Sequence, residues 1–170
     1  MRNDRKAKRE TLSHGFGPFY DPGSRILILG SFPSVKSREQ NFYYGHPRNR
    51  FWRVLSTLFD ARVPETVDEK KAFLTSCHIA LYDVIEQCSI CGSSDSSIRD
   101  VVPADLSPIL SGSQVGSRIY TNGARAYELY RKHLYPRNGI EAVKLPSTSP
   151  ANAAYSLDDL VRIWSEKIER

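Results

Sequence analysis

The sequence predicts an α/β protein, a three-layer α/β/α sandwich around a short, mostly parallel four-stranded sheet. Short apolar runs at 26–29 (ILIL), 79–85 (IALYDVI), 119–122 (IYTN) and 142–145 (AVKL) are spaced as strands. Segments with apolar residues at helical intervals follow them, so the hydrophobic period alternates between two and 3.6. Glycine, proline and serine gather where the strands end, as loops at a sheet edge require.

In chain order, residues 1–13 read as a basic tail, with Arg2, Arg5, Lys6, Lys8 and Arg9 within the first nine positions. Residues 14–170 read as a single domain, opened by an irregular lead-in, GFGPFYDPG at 15–23. Ile26 to Leu29 form a continuous apolar run, which suits a strand buried on both faces of a parallel sheet. The run stops at Gly30, and the loop after it lies at the strand's carboxyl end, where open α/β sheets bind their ligands. Phe51, Trp52, Leu55, Leu58 and Phe59 then share one face of a helix over 51–59.

A second helix is expected over 66–76, with Asp68, Glu69, Lys70 and Lys71 on its wet side. The strand at 79–85 carries Tyr82 and Asp83 within it, and SSDSS at 93–97 reads as a serine-rich loop. Residues 103–111 can start a helix, with Asp105 or Ser107 near its N-terminus. Helices over 124–133 and 157–168 follow the last two strands, and PSTSPAN at 146–152 forms a second unusual loop.

The chain has 170 residues, of which 40% are hydrophobic, enough for one domain with a full core and too few for two. A net charge of +5 favours a polyanionic partner, although a basic tail is as often a solvated arm. No apolar run approaches a membrane span and no secretory signal opens the chain, so a cytoplasmic protein is expected. Three cysteines, Cys77, Cys88 and Cys91, fit a reducing compartment. Cys88 and Cys91 make a lone CxxC, His78 does not complete a zinc spacing, and no metal is expected.

GSFPS at 30–34 is not a GxSxG elbow, and neither GxxxxGK[ST] nor GxGxxG is present, so nothing calls for a nucleotide cofactor. A Ser31, His46 and Asp83 trio could be assembled, but such a trio arises by chance in most chains of this size. The stretch 42–50 is more pointed. Phe42, Tyr43 and Tyr44 are consecutive aromatics, and His46, Arg48 and Arg50 alternate with Pro47 and Asn49. Aromatic platforms interleaved with cations are what nucleic-acid sites use. A loop whose aromatics merely cap the core remains open on composition.

The segments GSFPS and FYYGHPRNRFW, with the distant LPSTSPAN, resemble the uracil-DNA glycosylase superfamily, and within it the hypoxanthine-DNA (DNA-deoxyinosine) glycosylases. The resemblance covers Gly30 to Trp52, IALYDVI with GSSDSSI, TNG at 121–123 and Leu145 to Ala153. It implies an α/β/α fold and a cofactor-independent, monomeric enzyme that flips a deaminated base, hypoxanthine foremost, out of DNA. Such an enzyme hydrolyses the N-glycosidic bond and leaves an abasic site. No residue stands out as a Schiff-base lysine, so strand cleavage is not expected. A uracil or mismatch glycosylase on the same fold, and a non-catalytic nucleic-acid-binding domain, are the alternatives.

Residue by residue, Gly30, Ser31, Phe32 and Pro33 match the first motif, where mismatch-directed relatives carry an Asn that holds water. Phe32 stands in that place here and can do no polar work. Asn49 resembles the catalytic Asn of the hypoxanthine branch, and Tyr44 its base-stacking aromatic. His46, Arg48 and Arg50 are phosphate candidates, and Ser147, Thr148 and Ser149 lie in the loop that pinches the backbone in relatives. Asp83 and Asp95 are candidate pocket carboxylates, with a structural hydrogen-bond acceptor as the alternative for each.

Overall fold

The computed structural model describes residues 8–91 and 95–170, with the backbone alone at Asp95. Its centre is a parallel sheet of four strands in which β2 (Ile26–Gly30) is flanked by β3 (Ile79–Asp83) and β6 (Ile119–Asn122), with β7 (Val143–Leu145) at the far edge. All residues of β2 and β3 are buried, as two-faced coverage requires. Each Ile or Leu withdrawn from water in this way contributes roughly 1.5–3 kcal/mol.

The layers follow from the strand order. From β2 the chain crosses to β3 through α1 (Val35–Gln40), α2 (Phe51–Leu58) and α3 (Val67–Cys77). From β6 it moves the opposite way to β7 through α5 (Ala124–His133) and α6 (Tyr135–Asn138). Right-handed crossovers in opposite directions put these helices on opposite faces. The last helix, α7 (Leu157–Lys167), packs against α2, with the Phe51 and Trp164 rings edge to face at 6.0 Å. The α3 and α7 N-termini are closed by reciprocal capping boxes, Thr66 with Glu69 and Ser156 with Asp159.

Several elements depart from expectation. The segment 30–50 contains a helix, α1, because Ser34 caps it through the Ser37 N–H and Asn41 ends it in the left-handed conformation. The run IALYDVI is two strands. β3 ends at Asp83, the amides of Val84 and Ile85 turn back to the carbonyls of Gly30 and Ser31, and β4 (Ile85–Cys91) leaves for another sheet. That antiparallel sheet has the order β1-β4-β5, with β5 at Arg99–Pro103. Its first strand, β1 (Arg9–Ser13), falls inside the expected tail. The ladder from Arg9 opposite Cys91 to Ser13 opposite Gln87 holds it, and the Arg9 guanidinium adds hydrogen bonds to Ser89 and to the Ser97 carbonyl.

Pro103 ends β5, and the helix expected from there begins as α4 (Ser107–Gly112), with Asp105 accepting from the Ser107 N–H. The serine-rich loop coincides at its end with a single 3-10 turn at Asp95–Ser97, and its start lies outside the described residues. Cys88 is buried opposite Leu12, where a small apolar side chain fits the ladder. Among the described residues no three His, Cys, Asp or Glu side chains gather as metal ligands, and no helix is long and apolar enough to cross a membrane.

Candidate active site

Between β2 and β6 the connections part to opposite faces, and this switch point opens a crevice beyond the strands' carboxyl ends. A cavity of about 490 Å³ occupies it, lined by Gly30 to Ser34, Tyr43, Tyr44, Asn49, Asp83, Asn122 and the 147–151 loop. Every parallel strand thus ends at or beside the cavity.

One wall is a fixed chain of hydrogen bonds. Asn122 Oδ1 accepts from the Thr148 backbone N–H at 3.0 Å, which leaves Asn122 Nδ2 to donate to Thr148 Oγ1 at 3.0 Å. Thr148 Oγ1 in turn donates to Asn49 Oδ1 at 2.8 Å. The same oxygen accepts from the Phe51 N–H at 3.0 Å, at the start of α2. Two backbone N–H groups therefore set the orientation of both amides, and both lone pairs of Asn49 Oδ1 are engaged. The role left to Asn49 is that of a donor through Nδ2, which narrows the accept-or-donate role expected from the sequence.

The floor is buried. Asp83, 4% exposed, approaches His14, 3% exposed, with Oδ2 and Nε2 2.7 Å apart. Gly30 lies against the other oxygen, and a Cβ built there would stand 2.5 Å from Asp83 Oδ1. Tyr44, at φ 52°, stacks its ring on Phe51 with centroids 3.8 Å apart. Its hydroxyl is buried without a hydrogen-bond acceptor. Burial, with the negative charge of Asp83 adding to it, pushes that phenol well above its ordinary range, and only the nearby Asn122 amide opposes the shift. Phe32 is buried and presents its ring to the same space.

Not every residue singled out in the sequence meets the cavity as expected. Arg50 is turned inward. Its guanidinium donates to the carbonyls of Ser149 at 2.9 Å, Asn152 at 3.0 Å and Tyr155, and it clamps the 147–155 loop instead of facing a phosphate. Thr148 is fully buried in the amide chain, so it is an internal strut and not a surface contact. Ser147 and Ser149 do border the cavity, each accepting from the N–H two residues on. His46 is exposed and borders the cavity, whereas Arg48 is exposed but does not line it, its N–H donating to His46 Nδ1 at 3.1 Å. The Asp95 side chain lies outside the described residues.

Sequence reading missed His14, Asn122 and Arg38. A histidine beside a glycine-rich lead-in carries no spacing signal, and Asn122 looks like an ordinary strand end. Arg38 borders the cavity from α1, and its Nε is buried with no acceptor in reach.

The cavity is of small-molecule size and combines aromatic rings with a few fixed polar groups, as an enzyme's substrate pocket does. The family profile of the uracil DNA glycosylase superfamily matches residues 18–166, and the chain belongs to that superfamily. It is 36% identical over 146 residues to the hypoxanthine DNA glycosylase of Methanosarcina acetivorans, covering 85% of this chain and 91% of that one. It is 30% identical over 157 residues to the hypoxanthine DNA glycosylase of Methanosarcina barkeri, covering 92% and 98%. Among solved structures it is similar to the solution NMR structure of a Methanosarcina acetivorans protein proposed as a uracil DNA glycosylase. That match has a TM-score of 0.74 at 33% identity and covers 90% of this chain and 94% of the other.

Proposed function

We propose that the protein is a monofunctional DNA glycosylase that removes hypoxanthine from deoxyinosine and leaves an abasic site, acting as a cytoplasmic monomer. The observation that carries this reading is a donor and an acceptor that line one cavity, Asn49 Nδ2 and Asp83 Oδ1, as the adjacent O6 and N1–H of one base edge require. Hypoxanthine presents a carbonyl oxygen, O6, beside an N1–H donor. Asn49 donates to O6 and Asp83 accepts from N1–H. Adenine carries an amino donor and a bare N1 in the same places, so each contact becomes a clash of like groups, and buried polar groups left unmatched are costly.

The same groups serve the chemistry. As the N-glycosidic bond breaks, its electron pair passes into the base and positive charge develops on the sugar. The Asn49 amide meets the charge growing on O6 with a donor that needs no reorganisation. DNA phosphates beside the sugar stabilise the oxocarbenium-like centre, and water completes the hydrolysis. With Phe32 at the place where relatives hold water through an amide, the protein contributes mainly position and dryness. Tyr44, rigid on Phe51, supplies a stacking edge for the base, and His46 at the rim and Arg48 beside it meet the backbone.

Uracil carries the same donor and acceptor on a smaller ring and is the second reading. Phe32 and the relatives' names favour the purine. Matched duplexes carrying one hypoxanthine, uracil or xanthine, incubated with the protein and treated with hot alkali, test the assignment. Hypoxanthine should be released far faster than uracil, without added metal or cofactor. Equal or faster release of uracil would move the protein to another branch, and no release of any base would leave a DNA-binding domain.

A further inference from the structure

His14 belongs to neither sequence motif, yet it touches the most buried charged group of the cavity. It follows β1 directly, and its backbone N–H donates to the Glu86 carbonyl at 2.7 Å, extending the β1 ladder against β4 by one residue. The ladder thereby places the imidazole under the cavity floor. Phe16 holds the ring at a centroid distance of 4.4 Å, Tyr82 at 5.0 Å, Tyr43 at 5.8 Å and Phe32 at 6.4 Å. Clamped in this way, Nε2 meets Asp83 Oδ2 at 2.7 Å, while Nδ1 is buried with no partner.

We propose that His14, carried in by the antiparallel side sheet, is a positioning residue that holds Asp83 as a fixed hydrogen-bond acceptor and so sets which base edge the cavity accepts. The inference rests on the reading of Asp83 as the partner of N1–H. A buried carboxyl group without a hydrogen-bond partner is costly and free to turn. The imidazole on Oδ2 fixes it and leaves Oδ1, packed over Gly30, to accept a hydrogen bond from the base. Without His14 the carboxyl group loses its anchor, and Oδ1 no longer holds a lone pair toward N1–H. The pocket then loses its preference for a base that carries N1–H over one with a bare N1.

The side sheet explains why the ring can be trusted with this task. A histidine on a loop would sample several rotamers, whereas this one is seated by a strand ladder on one side and by aromatic rings on the others. The unpartnered Nδ1 fits a residue kept for what its other nitrogen does, since an apolar ring of similar size would fill the space without leaving a buried polar atom unmatched.

The test compares single-turnover excision of hypoxanthine with that of unsubstituted purine, which has a bare N1 and no O6, in the same duplex. His14→Gln keeps an N–H donor near the position of Nε2, whereas His14→Asn keeps the amide but is too short to reach Oδ2. The two are alike in polarity, and melting curves check that both fold. We expect Asn to lower the hypoxanthine-to-purine ratio about tenfold or more and Gln to restore most of it. Equal ratios in both variants and the parent protein, with any loss tracking the melting temperature, would make His14 a core residue only and overturn the proposal. Asp83→Asn separates the two layers of argument. If it leaves the ratio unchanged, the reading of Asp83 falls, and if it collapses the ratio while His14→Asn does not, only the role of His14 falls.

Discussion

The hydroxyl of Thr148 donates to the side-chain oxygen of Asn49 at 2.8 Å across 99 positions of sequence. This bond joins the loop after β7 to the start of α2, and it turns a freely rotating amide into a donor of fixed direction. Thr148→Val should therefore fold, since the site is buried and the shapes match, but should slow hypoxanthine release about tenfold by loosening Asn49. Single-turnover rates with a melting curve check this. An unchanged rate would show that the Phe51 N–H alone orients the amide.

Asn49→Ala should lose about 3 kcal/mol of transition-state stabilisation, roughly a hundredfold in rate, while binding of damaged DNA persists. The same substitution removes a bond to the first turn of α2, so a stability loss of about 1 kcal/mol should accompany it. If only stability changes and the rate at saturating enzyme does not, Asn49 is a cap and the donor must be sought elsewhere.

Arg48 and Arg50 stand two residues apart and should behave differently. Arg48→Gln should weaken binding to any duplex and lower the salt slope by about one unit. Arg50→Gln should leave that slope alone and cost about 2 kcal/mol of stability by releasing the 147–155 loop. Filter binding across a salt series, with thermal melts, distinguishes them. A salt slope lowered by Arg50→Gln would return that guanidinium to the DNA.

Gly30→Ala places a methyl group 2.5 Å from Asp83 Oδ1, a distance that no real contact tolerates. The carboxylate must move, so base discrimination should fall even if the fold survives. Relative release of hypoxanthine and purine measures it, and an unaltered ratio would mean that Oδ1 does not face the base.

Truncation tests the boundary at the N-terminus. Removal of residues 1–7 should leave turnover at saturation intact and weaken non-specific binding, because Arg2, Arg5 and Lys6 go with it. Removal of residues 1–13 takes all of β1 and should reduce the excision rate as His14 loses its seat. Retained turnover in the shorter protein would detach β1 from the site.

The centre of the parallel sheet was legible because β2 and β3 are buried on both faces, which calls for apolar runs such as Ile26 to Leu29. The side sheet was not. Arg9, Glu10, Thr11 and Ser13 are exposed in β1, and its order comes from backbone pairing that side chains do not announce. The break at Val84 was hidden for the opposite reason, since an unbroken apolar run masks a change of sheet. Asn49 and Tyr44 could be placed from a motif, but the inward turn of Arg50 depends on carbonyls about a hundred residues away. His14 had no local signature, because its partner, Asp83, lies 69 positions further on.

That separation has a consequence for synthesis. β1 leaves the ribosome ahead of the rest of the side sheet and can pair only after β4 has emerged. Its ladder nevertheless reaches less far along the chain than the bond between Asn49 and Thr148, 99 positions apart. Non-local pairing tends to come late in folding. A nascent or partly folded chain could thus seat its floor before the amide wall, which waits for Thr148, is closed. The carboxylate would be positioned ahead of the amide donor.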